Sequence, residues 1–143
     1  MKKILVMNGP NLNMLGIREK GIYGTKTLEE INDVIKRETA GMDVALEFYQ
    51  SNHEGDLIDK LHSCYGKMDG IVLNAGAYTH YSYAIRDAIA SVLVPCVEVH
   101  LSDIHAREDF RSISVIEDVC VAQICGMGEM GYVEAIKKLM GDK

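Results

Sequence analysis

Short runs of branched apolar residues alternate along this chain with longer amphipathic stretches, and that alternation restricts its fold more than any other feature. Lys3 to Asn8 reads as a buried strand, ended by Gly9-Pro10. Thr27-Leu28-Glu29-Glu30 is a capping box, in which the threonine hydroxyl and the glutamate three residues on satisfy each other's backbone amides. The helix it opens places Leu28, Ile31, Val34 and Ile35 on one face and ends near Gly41. Val44 to Tyr49 predicts a second strand. Ser51-Asn52-His53-Glu54 starts a second helix with Leu57, Ile58 and Leu61 turned inward. Gly70 to Asn74 predicts a third strand, followed by a turn at Gly76 and a helix from about Ser82 to Ser91. Pro95 to Val99 and Val119 to Cys125 predict strands four and five, and Tyr132 to Met140 a last helix.

Strands separated by helices of this length require right-handed crossovers and hence a parallel sheet covered on both sides. The expected architecture is an α/β, three-layer, flavodoxin-like sandwich with a five-stranded parallel sheet. With 143 residues and no repeat, linker or low-complexity segment, residues 1–143 read as one domain.

The formal charge of −6 argues against a nucleic-acid partner, because no basic stripe is present to neutralise phosphates. It leaves open a small anionic substrate, since local arginines decide what a pocket holds. The start of the chain resembles a signal peptide, but its apolar run ends after four residues, Ile4 to Met7. No stretch approaches the roughly 20 apolar residues needed to span a bilayer. Cys64, Cys96, Cys120 and Cys125 show no framework spacing, so reduced, partly buried thiols and a cytoplasmic location are expected.

In open α/β sheets ligands bind beyond the carboxyl ends of the strands, near the point where strand order reverses. Those ends carry Asn8 to Asn13, Ser51-Asn52, Asn74-Ala75-Gly76 with His80, and His100 to Ser102. Asparagine and glycine make turns wherever strands end, so each cluster alone means little. Four on one edge indicate a polar ligand site. Gly126-Met127-Gly128-Glu129-Met130-Gly131 matches the dinucleotide fingerprint, yet only a dozen residues follow it. The strand with a ribose-binding acid that the motif needs has no room, so the glycines read as a tight turn with close packing. Cysteine and histidine spacings match no usual metal pair, and neither cofactor nor metal is expected.

The ordered blocks run from Ile4 to about Tyr132. They include Asn8-Gly9-Pro10-Asn11-Leu12-Asn13, Arg18-Glu19 with Tyr23-Gly24, Gln50-Ser51-Asn52, and Leu73-Asn74-Ala75-Gly76-Ala77-Tyr78-Thr79-His80. Ala84-Ile85-Arg86-Asp87-Ala88, Glu98-Val99-His100-Leu101-Ser102, Ile104-His105-Ala106-Arg107-Glu108, Phe110-Arg111 and Gln123-Ile124-Cys125-Gly126 complete them. In these blocks the chain resembles the type II 3-dehydroquinate dehydratases, cofactor-free lyases of the shikimate route or of quinate breakdown. The resemblance implies elimination of water from 3-dehydroquinate to give 3-dehydroshikimate through an enolate. By position it implies Tyr23 as base, Arg18 as support for that base, His100 as acid, and Asn11 as the residue holding the enolate through a water. It implies substrate contacts from Asn74, His80, Asp87, Leu101, Ser102 and Arg111. It also implies a homo-oligomer, a dodecamer built as four trimers.

These roles suit their side chains. A proton beside a ketone is weakly acidic, so its removal calls for a strong base and a stabilised enolate. Free tyrosine titrates near 10. A guanidinium about 4 Å away, at an effective dielectric near 20, supplies on the order of 4 kcal/mol, or about three pKa units. Arg18 and Tyr23 share the loop from Gly16 to Gly24, which can close as a lid. Glu98 and His100 lie two apart on a strand and so face the same way, where a carboxylate orients an imidazole for proton donation. His80 reads as a binder, His105 as structure or contacts, and Arg86 with Asp87 as a surface ion pair unless Asp87 faces the ligand.

The chain departs from the family in places. Lys20 stands where a proline commonly follows Arg-Glu, Tyr81 replaces a small hydroxyl residue, and Ser112 to Asp118 follows its own pattern. The last departure bears on subunit packing. Competing readings are a flavin mononucleotide-binding module and a catalytically silent scaffold. The first lacks a Ser/Thr-rich loop after strand one, and the second is at odds with intact Arg18, Tyr23 and His100. A Schiff-base route needs a buried lysine, whereas the lysines read as loop or helix-surface residues.

Overall fold

The computed structural model describes residues 1–17 and 25–141. Arg18, Lys20 and Tyr23 therefore lie outside the described residues. Five parallel strands form one sheet: β1 (Lys2–Asn8), β2 (Val44–Gln50), β3 (Gly70–Asn74), β4 (Cys96–His100) and β5 (Ala122–Cys125). Their order is β2-β1-β3-β4-β5, the flavodoxin-like order, with its reversal between β1 and β3. Register runs Asn8↔Gln50 and Asn8↔Asn74, so three polar residues end level with one another at that reversal.

Among the described residues four helices cover the sheet: α1 (Leu28–Glu38), α2 (Glu54–Ser63), α3 (Tyr83–Val92) and α4 (Met130–Leu139). Alternate residues of β1 feed opposite cores. Ile4 and Val6 pack with Ile31 and Ile35 of α1 and Val133 and Ile136 of α4. Leu5 and Met7 pack with Leu57 and Leu61 of α2 and Ile85 and Ile89 of α3. A strand buried on both faces needs an unbroken apolar run, which is what β1 and β3 have.

The capping box forms as expected: the Glu30 amide donates to the Thr27 hydroxyl, and the Thr27 amide donates to the Glu30 carboxylate. Ser82 caps α3 by accepting from the Ile85 amide at 3.0 Å. The fifth strand begins at Ala122, later than Val119, because Glu117–Val119 winds into a 3₁₀ turn. Lys2 and Lys3 open β1, not a loop or a helix, but both are exposed. No helix among the described residues is long and apolar enough to cross a membrane.

Gly9 lets the ends of β1 and β3 close up. A Cβ there would lie 2.6 Å from the Ala75 carbonyl oxygen, and the Gly9 amide donates to the Asn74 carbonyl at 2.8 Å. Gly9→Ala forces backbone apart from backbone. The expected loss is about 1–3 kcal/mol of stability, measured by chemical denaturation.

Candidate active site

The carboxyl ends of β1, β3 and β4 open into one cavity, whose lining includes Asn11, Asn74, His80, His100, Leu101, Ser102 and Arg111. These seven positions come from five separate stretches of sequence. Asp87 is not among them. It lies on the exposed side of α3, and its neighbour Arg86 pairs with Asp118, not with Asp87. Arg107 also lines the cavity, although sequence reasoning assigned it no role.

After Gly9-Pro10 the chain turns through Asn11, which takes the left-handed conformation (φ 69°) that asparagine tolerates better than most residues. Its amide donates to Asn52 Oδ1 at 2.9 Å, and Gln50 Nε2 donates to the Gly9 carbonyl and to Asn52 Oδ1, each at 3.1 Å. The end of β2 thus braces the loop that carries Asn11.

Asn74 is held from below by a residue that sequence reasoning treated only as the start of the last helix. The hydroxyl of Tyr132, fully buried, donates to Asn8 Oδ1 at 2.5 Å and accepts from Asn74 Nδ2 at 3.0 Å. Asn74 Oδ1 in turn accepts from the Gly76 amide at 3.1 Å. The amide orientation is fixed by this bonding, leaving one N–H and one lone pair of Asn74 for a ligand. Burial pushes the Tyr132 phenol well above the usual tyrosine range, so it stays protonated and serves as a pin.

His80 ends the 3₁₀ turn Gly76–His80 and bonds through Nδ1 to the Ile113 carbonyl at 2.7 Å. A carbonyl only accepts, so Nδ1 carries the proton and neutral His80 offers Nε2 as an acceptor. Burial, aided by the nearby His100 and Arg111, holds its imidazole below the usual histidine value despite that hydrogen bond. A neutral imidazole on the cavity wall results.

His100, at the end of β4, is 5% exposed and meets the fully buried Glu98 through Nε2···Oε2 at 2.5 Å. Burial pushes the Glu98 carboxyl up, but hydrogen bonds and charge from His100, with Ser114 and Thr79, outweigh it and hold the group below its ordinary value. Glu98 is therefore an anion, Nε2 donates to it, and Nδ1 is the ring nitrogen left for a second proton. The expected Glu98–His100 pairing is present. Thr79, Ser114 and Gln123 complete the surroundings of Glu98, a role that sequence reasoning assigned to none of them.

Carbonyls of His100, Leu101 and Ser102 accept from the amides of Gly126 and Gly128. Those glycines take φ of 77° and 59°, so the glycine-rich run is a turn that fixes the backbone of the β4 end. A Cβ at Gly131 would lie 3.4 Å from Val99 and 3.5 Å from Ile124. Arg111 lies over the Phe110 ring at 4.7 Å and donates through Nε to Glu108. His105 contacts Gln123 at 3.4 Å, in keeping with a supporting role. The four cysteines are free, and no metal-binding cluster of three histidine, cysteine or acidic residues occurs among the described residues.

Two arginines and two histidines line the cavity, and no carboxylate does among the described residues. In a chain of net charge −6 this is a local reversal of sign, suited to a small anion with hydroxyl groups.

Residues 2–140 match the family described as Dehydroquinase class II. A 3-dehydroquinate dehydratase from Caldicellulosiruptor bescii is 55% identical over 140 residues, covering 97% of each chain. One from Clostridium beijerinckii is 56% identical over 138 residues, covering 96% of this chain and 94% of the relative. The crystal structure of a type II dehydroquinase from Butyrivibrio crossotus superposes with a TM-score of 0.95 at 55% identity, covering 97% of both chains. Family match, sequence identity and topology agree over nearly the whole length, and the chain belongs to the class II dehydroquinases.

Proposed function

We infer that the protein removes water from 3-dehydroquinate to form 3-dehydroshikimate, a step of the shikimate route, without a cofactor. The observation that carries this reading is the cavity at the sheet reversal lined by Arg107, Arg111, His80 and His100, with His100 backed by a buried carboxylate. Its relatives of more than half identity are named for the same reaction.

The reaction is acid–base chemistry with no net change of oxidation state. Tyr23, as phenolate beside Arg18, takes the proton next to the ketone, and the electron pair moves into an enolate. Asn11 holds the enolate oxygen through a water. The enolate then re-forms the ketone and a carbon–carbon double bond, the carbon–oxygen bond breaks, and His100 protonates the departing hydroxyl to water. One proton is gained at Tyr23 and one lost at His100, and exchange with solvent resets both. Arg111, with the backbone at Leu101 and Ser102, receives the carboxylate and hydroxyls, and Asn74 and neutral His80 hold further hydroxyls.

In this reading residues 1–143 are one catalytic domain, cytoplasmic and homo-oligomeric, assembled as four trimers. Asp87 touches substrate across a subunit boundary, because its own copy presents it away from the cavity. Tyr83, two-thirds exposed on the same helix, supports a contact there. The purified protein is expected to convert added 3-dehydroquinate to a conjugated product, read as rising ultraviolet absorbance. A flat trace with folded protein overturns the dehydratase reading.

A further inference from the structure

Glu98 has four side-chain partners among the described residues, and one of them lies in the segment that departs from the family pattern. Oε2 accepts from Thr79 Oγ1 at 2.9 Å and from Gln123 Nε2 at 3.2 Å, besides meeting His100. Ser114 Oγ sits 2.9 Å from both carboxylate oxygens. Among the described residues, Ser114 is the side chain that reaches Oε1. A carboxylate accepts only, so the serine hydroxyl is the donor. A buried carboxylate with a lone pair left dry tends to rotate or take up a proton, and either change alters what it offers its neighbour.

The serine is itself held in place. Its neighbour Ile113 gives a carbonyl to His80, the Val115 amide donates to the Thr79 carbonyl at 2.8 Å, and Arg86 donates to the Val115 carbonyl at 2.8 Å. Three backbone anchors thus fix where the Ser114 hydroxyl points. Its competing task is local: it also accepts from the Ile116 amide, at a long 3.4 Å.

We propose that Ser114 is a positioning residue for the acid step, fixing the rotation of the Glu98 carboxylate and through it the ring of His100. The proposal rests on reading His100 as the proton donor. It makes one irregular segment the support for both cavity histidines, His80 through a carbonyl and His100 through Glu98.

The test is a cycle of Ser114→Ala and Glu98→Gln, singly and together, with Ser114→Thr as the conservative variant. Steady-state rates on 3-dehydroquinate and thermal melting are measured for each. Ser114→Ala is expected to lower kcat about tenfold while KM stays within about twofold, the loss expected when a donor to a charged group acts only in the transition state. Ser114→Thr restores most of the rate. Adding Ser114→Ala to Glu98→Gln costs less than about twofold more, because the route of action is already cut. Equal losses in both backgrounds, a normal rate in Ser114→Ala, or a lowered melting temperature with raised KM and no rescue by threonine each overturn the proposal. A wild-type protein that leaves 3-dehydroquinate unchanged overturns the dehydratase reading, and this proposal with it.

Discussion

Tyr23→Phe is expected to lower kcat by about a thousandfold, within the range that loss of a positioned general base produces. The phenyl ring keeps the shape of the side chain and removes only the oxygen proposed to accept the proton. Binding of the product 3-dehydroshikimate, followed by calorimetric titration, should therefore change by less than about threefold. The structure adds a reason to look to Tyr23 and not to the phenol nearest the floor of the site. Tyr132 is wholly buried and its phenol is pushed up, so it cannot ionise usefully near neutrality. A Tyr23→Phe enzyme of near-normal rate would return the base role to another group.

His100→Asn is expected to cost about a hundredfold or more in kcat, since general acid catalysis commonly supplies that much. Asparagine can still bond to Glu98 but has no proton to deliver to a leaving hydroxyl. The informative comparison is with a substrate analogue whose leaving group departs unaided, such as one with fluoride in place of the hydroxyl. The variant should recover a large part of the lost rate with that analogue. An equal loss with both compounds would assign His100 to binding.

The sheet and its order were legible because each strand is buried on both faces and each helix on one. Ile4 to Met7 and Ile71 to Leu73 are unbroken apolar runs, while Leu57 and Leu61 recur at helical spacing. The start of β5 was misplaced by three residues because Val119 to Val121 has strand-like composition while Glu117–Val119 takes a 3₁₀ turn. Seven of the expected site residues meet in one cavity, since strand ends and a parallel topology fix where they emerge. Asp87 could not be placed this way: it sits on the exposed side of α3, and helix periodicity says which residues face inward, not which exposed ones meet a ligand. Thr79, Ser114 and Gln123 were invisible for a different reason. They converge on Glu98 from separations of 19, 16 and 25 residues, in turns and at an edge strand where no periodicity marks them.

The Tyr132 pin has a consequence for how the protein comes into being on the ribosome. The asparagines it joins belong to the first and third strands, whereas the phenol arrives with the last helix in chain order. Until α4 docks, Asn8 Oδ1 and Asn74 Nδ2 lack the partner that Tyr132 gives them at the sheet reversal, and unpaired buried polar groups oppose closure there. A nascent chain can therefore build most of its sheet early, yet its substrate cleft is finished only once α4 has emerged and docked.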